Sequence, residues 1–456
     1  MSGNFSDSSK DISNKKDENS QKIDYKKENV EYIQMKKKVY DNIISFLENN
    51  DDDDASDDLK NLINFISEQN EYREELESFL QLITDIADNC HRNDKLFKNI
   101  YLIIQYCESI IKQTFSNQEI FQIFVRNKKI LHFLFKKGII TMDVSIYNQL
   151  HSQIDHNGNR YCHFFYPEIK NFSGFKNYTA IEKELLEKDP NIFDNFEEKR
   201  EIGENDTFIC SLIRKDSIDE FIQYINEKSI LLTSTISSSI FETNSFLNEN
   251  KNITLIQYAD FFGSIKIFKY LVLNNVKIDP SLWIYAIHSR NAELFNLLDS
   301  DNVEIPESIY IKCFNESIKC HHNEFAEYIE NTFLTQNDNI KTVSKNEEII
   351  SSILHFHNYA YFPFGFEDNN EFFYLCSNNY YKLVNFFLKI NEELIKKESY
   401  HMNLHMAAKQ NRIEIIYYLL LQDNRIIGYF AENKKLTKLA IPPSVTSIGN
   451  YAFKGC

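Results

Sequence analysis

The sequence predicts an all-α fold built from recurring helical units, and three observations carry that prediction. Glycine and proline are scarce, 10 and 7 in 456 residues, which disfavours turn-dense β architecture and favours helices joined by Asn- and Asp-type turns. Apolar residues recur at i, i+3, i+4 and i+7 over many short stretches. Weak copies of one helix-pair pattern then follow in tandem from about residue 206 to 422. With 43% hydrophobic and 14% aromatic residues the chain has ample material for a core.

Residues 1–28 are Ser, Asn, Asp and Lys with little to bury, and are expected to be disordered. The acidic run Asp51 to Asp54, with Asp57 and Asp58, lacks the Gly and bidentate Glu spacing of a calcium loop and is read as a solvated linker. Residues 29–135 are predicted to be a helical block. Leu59, Leu62, Ile63 and Ile66 share a helix face, as do Leu76, Phe79, Leu80, Ile83 and Ala87, and then Leu96, Ile100, Ile103, Ile104, Cys107 and Ile111. Ser116 with Glu119 forms a capping box ahead of Ile120, Phe121 and Phe124. The stretch 136–205 has poor period and carries Gly138, Gly158, Pro167, Gly174 and Pro190, which suggests an irregular insert or hinge.

The clearest repeat begins at Thr254, with Ala259, Gly263 and the apolar face Ile267, Phe268, Leu271 and Val272. The next copy starts at Ser281, 27 positions on, with Ala286, Arg290, Leu294, Phe295 and Leu298. A third has Ser317 at the Ala position, and Asp206 to Ile225 is a degenerate opening copy. Two more follow: one with Asn379, Leu383, Val384 and Phe387, and one with Leu404, His405, Ala407, Asn411, Ile415, Ile416 and Leu419. Asn suits a corner between helices because it tolerates the left-handed conformation. The pattern resembles the ankyrin repeat, and divides into ankyrin-like repeats at 206–335 and ankyrin repeats at 336–425. It departs from the family in lacking the Pro of T-P-L-H, in often losing the interhelical Gly, and in its variable loops. In this it is similar to divergent ankyrin proteins of protist parasites.

Residues 436–456 (LTKLAIPPSVTSIGNYAFKGC) place Leu436, Leu439, Ile441, Val445, Ile448, Ala452 and Phe453 in a ladder broken by Pro442, Pro443 and Gly449. This resembles one unit of the BspA-like leucine-rich repeats, so 426–456 is expected to be a partial unit with a strand in LTKLAI, either truncated or serving as a cap. The resemblances together imply an ankyrin-like helical solenoid with a helical N-terminal block and one short β-containing unit at its C-terminal end.

A net charge of −17 argues against nucleic-acid or anionic-membrane partners held by bulk electrostatics. No stretch approaches 18 uninterrupted apolar residues, so no membrane span is expected. The N-terminus lacks an apolar signal region, and the 8 Cys have no framework spacing. A cytoplasmic location with reduced thiols is the expectation, the alternative being the cell surface by a route without a signal peptide. No phosphate-cradling Gly motif or nucleophile elbow is present, so no enzyme activity and no cofactor are expected. Cys313, Cys320, His321 and His322 could in principle supply ligands, but Cys320 and His321 fall between the helices of the third copy, where the ankyrin resemblance implies polar loop residues; His151, His156, Cys162 and His163 lack a paired C-x-x-C knuckle. His401 and His405 stand four apart without an intervening Glu, and no metal is expected. Trp283 is read as a packing residue.

These readings converge on a non-catalytic protein–protein interaction scaffold with a protein partner. The ankyrin resemblance places partner contacts on the first helices and the loops before them: Gln257, Tyr258, Ile284, Tyr285, Asn403 and Met406. The BspA-like unit suggests a surface antigen or adhesin instead. A cryptic metal-binding or enzymatic protein built on the 136–205 insert is a second alternative.

Overall fold

The computed structural model describes residues 8–49, 64, 72–90, 94–154, 158, 160–172, 178–300, 307–331, 347–362, 369–390, 403–404, 407–408, 413–422, 425–426, 441 and 447–448. The acidic run at 51–58, the Leu59–Ile66 face, His156, Met406, His401, His405 and nearly all of the 436–456 ladder lie outside these residues. The described part is mostly helical. The chain divides into two compact units, Ile43–Asp338 and Met1–Asn42 with Asn339–Cys456.

The first helix runs Ser8–Asn49, so residues 8–28, expected to be disordered, are helical. The physical reason lies in what the stretch lacks: no Gly or Pro occurs between Gly3 and Gly138. An i,i+4 pair, Lys27 with Glu31 at 3.8 Å, adds local support.

In the unit Ile43–Asp338, helix Tyr72–Asn89 packs on Asp94–Tyr106 and Asn117–Phe124. The apolar faces read from the sequence are buried there, among them Leu80, Ile83, Ala87, Ile100, Ile103, Ile104 and Ile111. Ser116 and Glu119 make the expected reciprocal cap of Asn117–Phe124. The stretch expected to be irregular is helical as well, over Val144–Ser152, Tyr161–Phe164, Tyr166–Asn171, Tyr178–Lys188 and Phe196–Ile202. Its helices run from 4 to 11 residues, too short for a 3.6-residue period to be read.

Four helix pairs follow: Phe208–Arg214 with Ile218–Lys228, Leu255–Phe261 with Ile265–Leu273, Leu282–Ser289 with Ala292–Ser300, and Glu307–Lys319 with Asn323–Ile329. The first helices pack on one another in chain order. Every corner is turned the same way. Four residues after Leu212, Ala259, Ala286 and Ser317 stands a residue in the left-handed region: Asp216 (φ 48°), Gly263 (71°), Arg290 (51°) and His321 (55°). At three of these corners the next amide returns to the residue five before it, Ser217 to Leu212 (3.1 Å), Ser264 to Ala259 (2.8 Å) and His322 to Ser317 (2.9 Å). This satisfies carbonyls that the helix end leaves open.

The residue after the corner also reaches back with its side chain. Ser264 Oγ donates to the Ile213 carbonyl at 2.6 Å, and His322 Nδ1 to the Ile287 carbonyl at 2.8 Å. Each bond ties one helix pair to the pair before it. Where Gly is lost, the substitute has other work. Asp216 accepts from the Lys266 and Ile267 amides at 3.1 and 3.0 Å, capping Ile265–Leu273, and Arg290 pairs with Glu48 at 2.6 Å.

In the other unit, Glu347–His355, Asn369–Ser377, Tyr381–Ile390 and Ile413–Gln422 pack in succession. Its corner repeats the same design: Asn379 has φ 66°, the Tyr380 amide returns to the Leu375 carbonyl at 3.0 Å, and Tyr380 Oη donates to the Leu354 carbonyl at 2.9 Å. Arg425–Ile426 pairs in parallel with Ser447–Ile448. The strand expected in LTKLAI falls outside the described residues, apart from Ile441.

A Cβ at Gly263 would meet nothing nearer than 3.4 Å, so Gly263→Ala should cost the backbone penalty alone, about 1–2 kcal/mol. Asp216→Gly relieves the same kind of strain but removes a cap worth about 0.5–2 kcal/mol, so no stabilisation is expected. Urea midpoints of the two variants check both, and a clear gain from Asp216→Gly would refute the capping role.

Candidate functional site

The expected partner residues are placed unevenly. Ile284 and Gln257 are half-buried. Gln257 completes the capping box of Thr254, and its Nε2 donates to Ser281 Oγ of the next pair at 3.2 Å. Tyr258, Tyr285 and Asn403 are buried, which corrects the expectation that they are open to a partner. For Tyr258 and Tyr285 the cause is the packing of first helices on both sides. Tyr258 and Tyr285 occupy the same position, four after Thr254 and Ser281, and both turn inward. Tyr258 Oη accepts from Arg214 Nη1 at 2.8 Å, and the Tyr285 ring stands edge-on to Phe246 at 5.0 Å. Trp283 is buried against Phe295, as a packing residue should be. Phe208, on the first helix of the opening pair, is 54% exposed, and Lys312 on a later one is also exposed.

Among the described residues of the unit Ile43–Asp338, buried charged groups gather around Arg200 and around Glu316, and the sequence signalled neither grouping. Arg200 on Phe196–Ile202 is fully buried. Its guanidinium bonds Glu168 Oε1 at 2.6 Å and Glu197 Oε2 at 2.9 Å. Phe164 and Phe165 face it at 5.1 and 5.9 Å from their ring centres. His132 Nε2 lies 2.7 Å from the other oxygen of Glu197. Burial and the nearby Arg200 charge hold the His132 imidazole down to about 4, against the pull of Glu197.

The second cluster joins three helix pairs. His288 on Leu282–Ser289 is wedged between Phe246 and Phe261, ring centres 4.1 and 4.9 Å away. Its Nε2 lies 2.8 Å from Glu316 Oε1. Lys319 Nζ is 3.3 Å from the same carboxylate and 3.9 Å from Glu249. Cys320 Sγ faces the imidazole, 3.5 Å from Nδ1 and 3.8 Å from Nε2. Cys90 Sγ donates to the Cys320 carbonyl at 3.0 Å. Burial alone would raise the Glu316 carboxyl, but Lys319 and His288 bring it down to about 2. Burial holds the His288 imidazole below its usual value and pushes the Cys320 thiol well above.

Among the described residues, His288, Glu316 and Cys320 are the grouping of His, Cys and carboxylate side chains close enough to share a metal ion, their candidate ligand atoms within 4.8 Å of one another. The sequence grouped Cys320 instead with Cys313, His321 and His322. The structure separates them: His321 turns the corner and His322 bonds a backbone carbonyl. His151, Cys162 and His163 are likewise not gathered, and His163 pairs with Glu184 at 2.9 Å. Asp260 is buried with neither carboxylate oxygen meeting a donor among the described residues, and burial raises it well above the carboxylate range.

No helix among the described residues is long and apolar enough to cross a membrane. No protein-family model, curated protein or solved structure matches the chain.

The unfolded chain protonates His132 near 6.5, whereas the folded protein resists until about 4. Stability should therefore fall as pH drops through that window, since only the unfolded state takes up the proton. His132→Gln should flatten that part of the urea-midpoint profile. An unchanged slope would mean that His132 is already charged in the fold. Arg200→Ala should cost about 3–5 kcal/mol by stranding Glu168, and Glu168→Gln in the same chain should recover part of the loss.

Proposed function

We propose that this protein is a non-catalytic interaction scaffold, an ankyrin-like solenoid that binds a protein partner along its row of first helices. The observation that supports this most is the repeated corner: a left-handed residue at one fixed position in four successive helix pairs, with a side chain crossing to the pair before at two of them. Stacked pairs of this kind form a quasi-one-dimensional array, whose extended face suits binding better than a reaction pocket. The inward turn of Tyr258 and Tyr285 narrows the binding face. Phe208, Ile284 and Lys312 are its best candidates, with Gln257 at its edge. The acidic balance of the chain, −17 overall, favours a partner carrying basic residues around an apolar contact.

A photo-reactive amino acid placed at Phe208 or Ile284 of the full chain, in extract of the source cells, tests this. Lys228, exposed on a second helix, serves as the control position. A discrete adduct at 208 and 284, absent at 228 and competed away by excess unmodified protein, is the expected result. No adduct, or equal labelling at 228, would reject the reading.

A further inference from the structure

We propose that a cleft between the opening and second helix pairs binds the ammonium end of a lysine side chain of the protein partner, an inference that rests on the row of first helices being the contact face.

The cleft is built from the chain that precedes two first helices. Asn205 stands just before Phe208–Arg214, and Ser237, Glu242, Asn248 and Asn250 belong to the connection that leads into Leu255–Phe261. One wall is a short antiparallel bridge, in which the Ile236 amide donates to the Ile253 carbonyl at 2.8 Å and the Leu255 amide to the Ser234 carbonyl at 3.1 Å. Asn205 Nδ2 joins this wall to the opening pair by donating to the Ser237 carbonyl at 2.7 Å. Helix Ser245–Glu249, capped by Asn244, supplies another wall. Ser237 is exposed, so the cleft opens at the surface.

The lining chooses the charge of its occupant. Asn248 Nδ2 donates to the Glu242 carbonyl at 3.1 Å, and Asn250 Nδ2 to the Phe246 carbonyl at 2.8 Å. A backbone carbonyl can only accept, so both amides are held with their N–H groups spent on the protein and their oxygens left over. Asn248 is buried, and its Oδ1 meets no donor among the described residues. Glu242, also buried, adds a carboxylate to the same lining. Two amide oxygens and a carboxylate suit a cation that brings its own donors. An anion would meet the Glu242 carboxylate and lose its hydration without return.

Size then chooses among cations. The cleft holds about 40 Å³ accessible to water-sized groups. At about 10–15 Å³ for each such group, this is room for roughly three: an ammonium nitrogen and two methylenes behind it. A guanidinium is a planar fork of one carbon and three nitrogens, too wide for that space, whereas an ammonium is a compact point charge with three rotatable donors. Lysine is therefore selected over arginine.

The test uses the full chain and a blocked Gly-Lys-Gly peptide followed by NMR. The peptide should shift the side-chain amide signals of Asn248 and Asn250 and saturate with a Kd on the order of 1 mM. The Nε-acetylated peptide and the arginine peptide should each bind at least roughly tenfold more weakly. Ser237→Lys, which places an ammonium of the chain's own at the mouth, should abolish the shifts. Asn226→Lys, the same charge on an exposed second-helix position, should leave them intact. No shift in the parent protein, as in a cleft that takes water alone, would overturn the proposal, as would equal binding of the acetylated or arginine peptide. Loss of binding in Asn226→Lys would do the same by reducing the effect to bulk charge. The titration needs no partner, so its failure is distinct from failure of the photo-adducts at Phe208 and Ile284.

Discussion

The structure depends on one constraint: the last carbonyls of a first helix must find donors although the next helix pair shuts water out. A buried carbonyl left without a partner costs about 1–3 kcal/mol, comparable to a large share of what one helix pair contributes. The corner meets this in two steps. A left-handed residue swings the chain so that the following amide returns to the helix end, and that residue's side chain then serves the carbonyl of the preceding pair. Ser264, His322 and Tyr380 all do this, with a hydroxyl, an imidazole and a phenol. Only reach and a donor are required. The chemistry is thus free to drift while the geometry stays put, which explains why the copies look so weak as sequence.

That tolerance sets what could be read beforehand. The corner positions were legible because Gly263 and Asn379 belong to the residue types that accept a positive φ, and Arg290 was placed by its offset from Ala286. Caps such as Ser116 with Glu119 and Thr254 with Gln257 were within reach for the same reason, being local bonds between near neighbours. The insert was not legible. Tyr161–Phe164 is a single turn of helix, and no period can be read from four residues. Its core is also built around Arg200, a residue that any hydropathy reading assigns to the surface.

Two of the expected contact residues, Tyr258 and Tyr285, are buried for a related cause. The ankyrin resemblance implied that Tyr258 and Tyr285 lie on the contact face, but each first helix has neighbours on both sides, and the position four after the cap faces one of them. The grouping of Cys320 with His288 and Glu316 was hidden in another way. Ligand rules look for spacings of two to four within one helix or knuckle. Here the histidine lies 32 positions from the cysteine, a separation set by the length of one helix pair and its loop. Only knowledge of the stacking register brings those two side chains together.

Stacking register is itself a problem in such a chain. The second helices present nearly interchangeable faces of Ile, Leu and Phe, so apolar burial alone would accept a slipped alignment at little cost. Polar contacts between pairs do not. Arg214 meets Tyr258, Gln257 meets Ser281, His288 meets Glu316, and each is satisfied at one alignment only. A slip of one residue would break each of these bonds, and at Tyr258 and His288 it would strand a buried polar group at a cost above that of an apolar mismatch. Buried ion pairs add little stability over well-packed apolar residues, so their place in this interior is better explained by selection among alignments. By that argument the second buried cluster specifies the alignment of its helix pairs. His288 and Glu316, 2.8 Å apart across the junction, tell one helix pair which neighbour it has met.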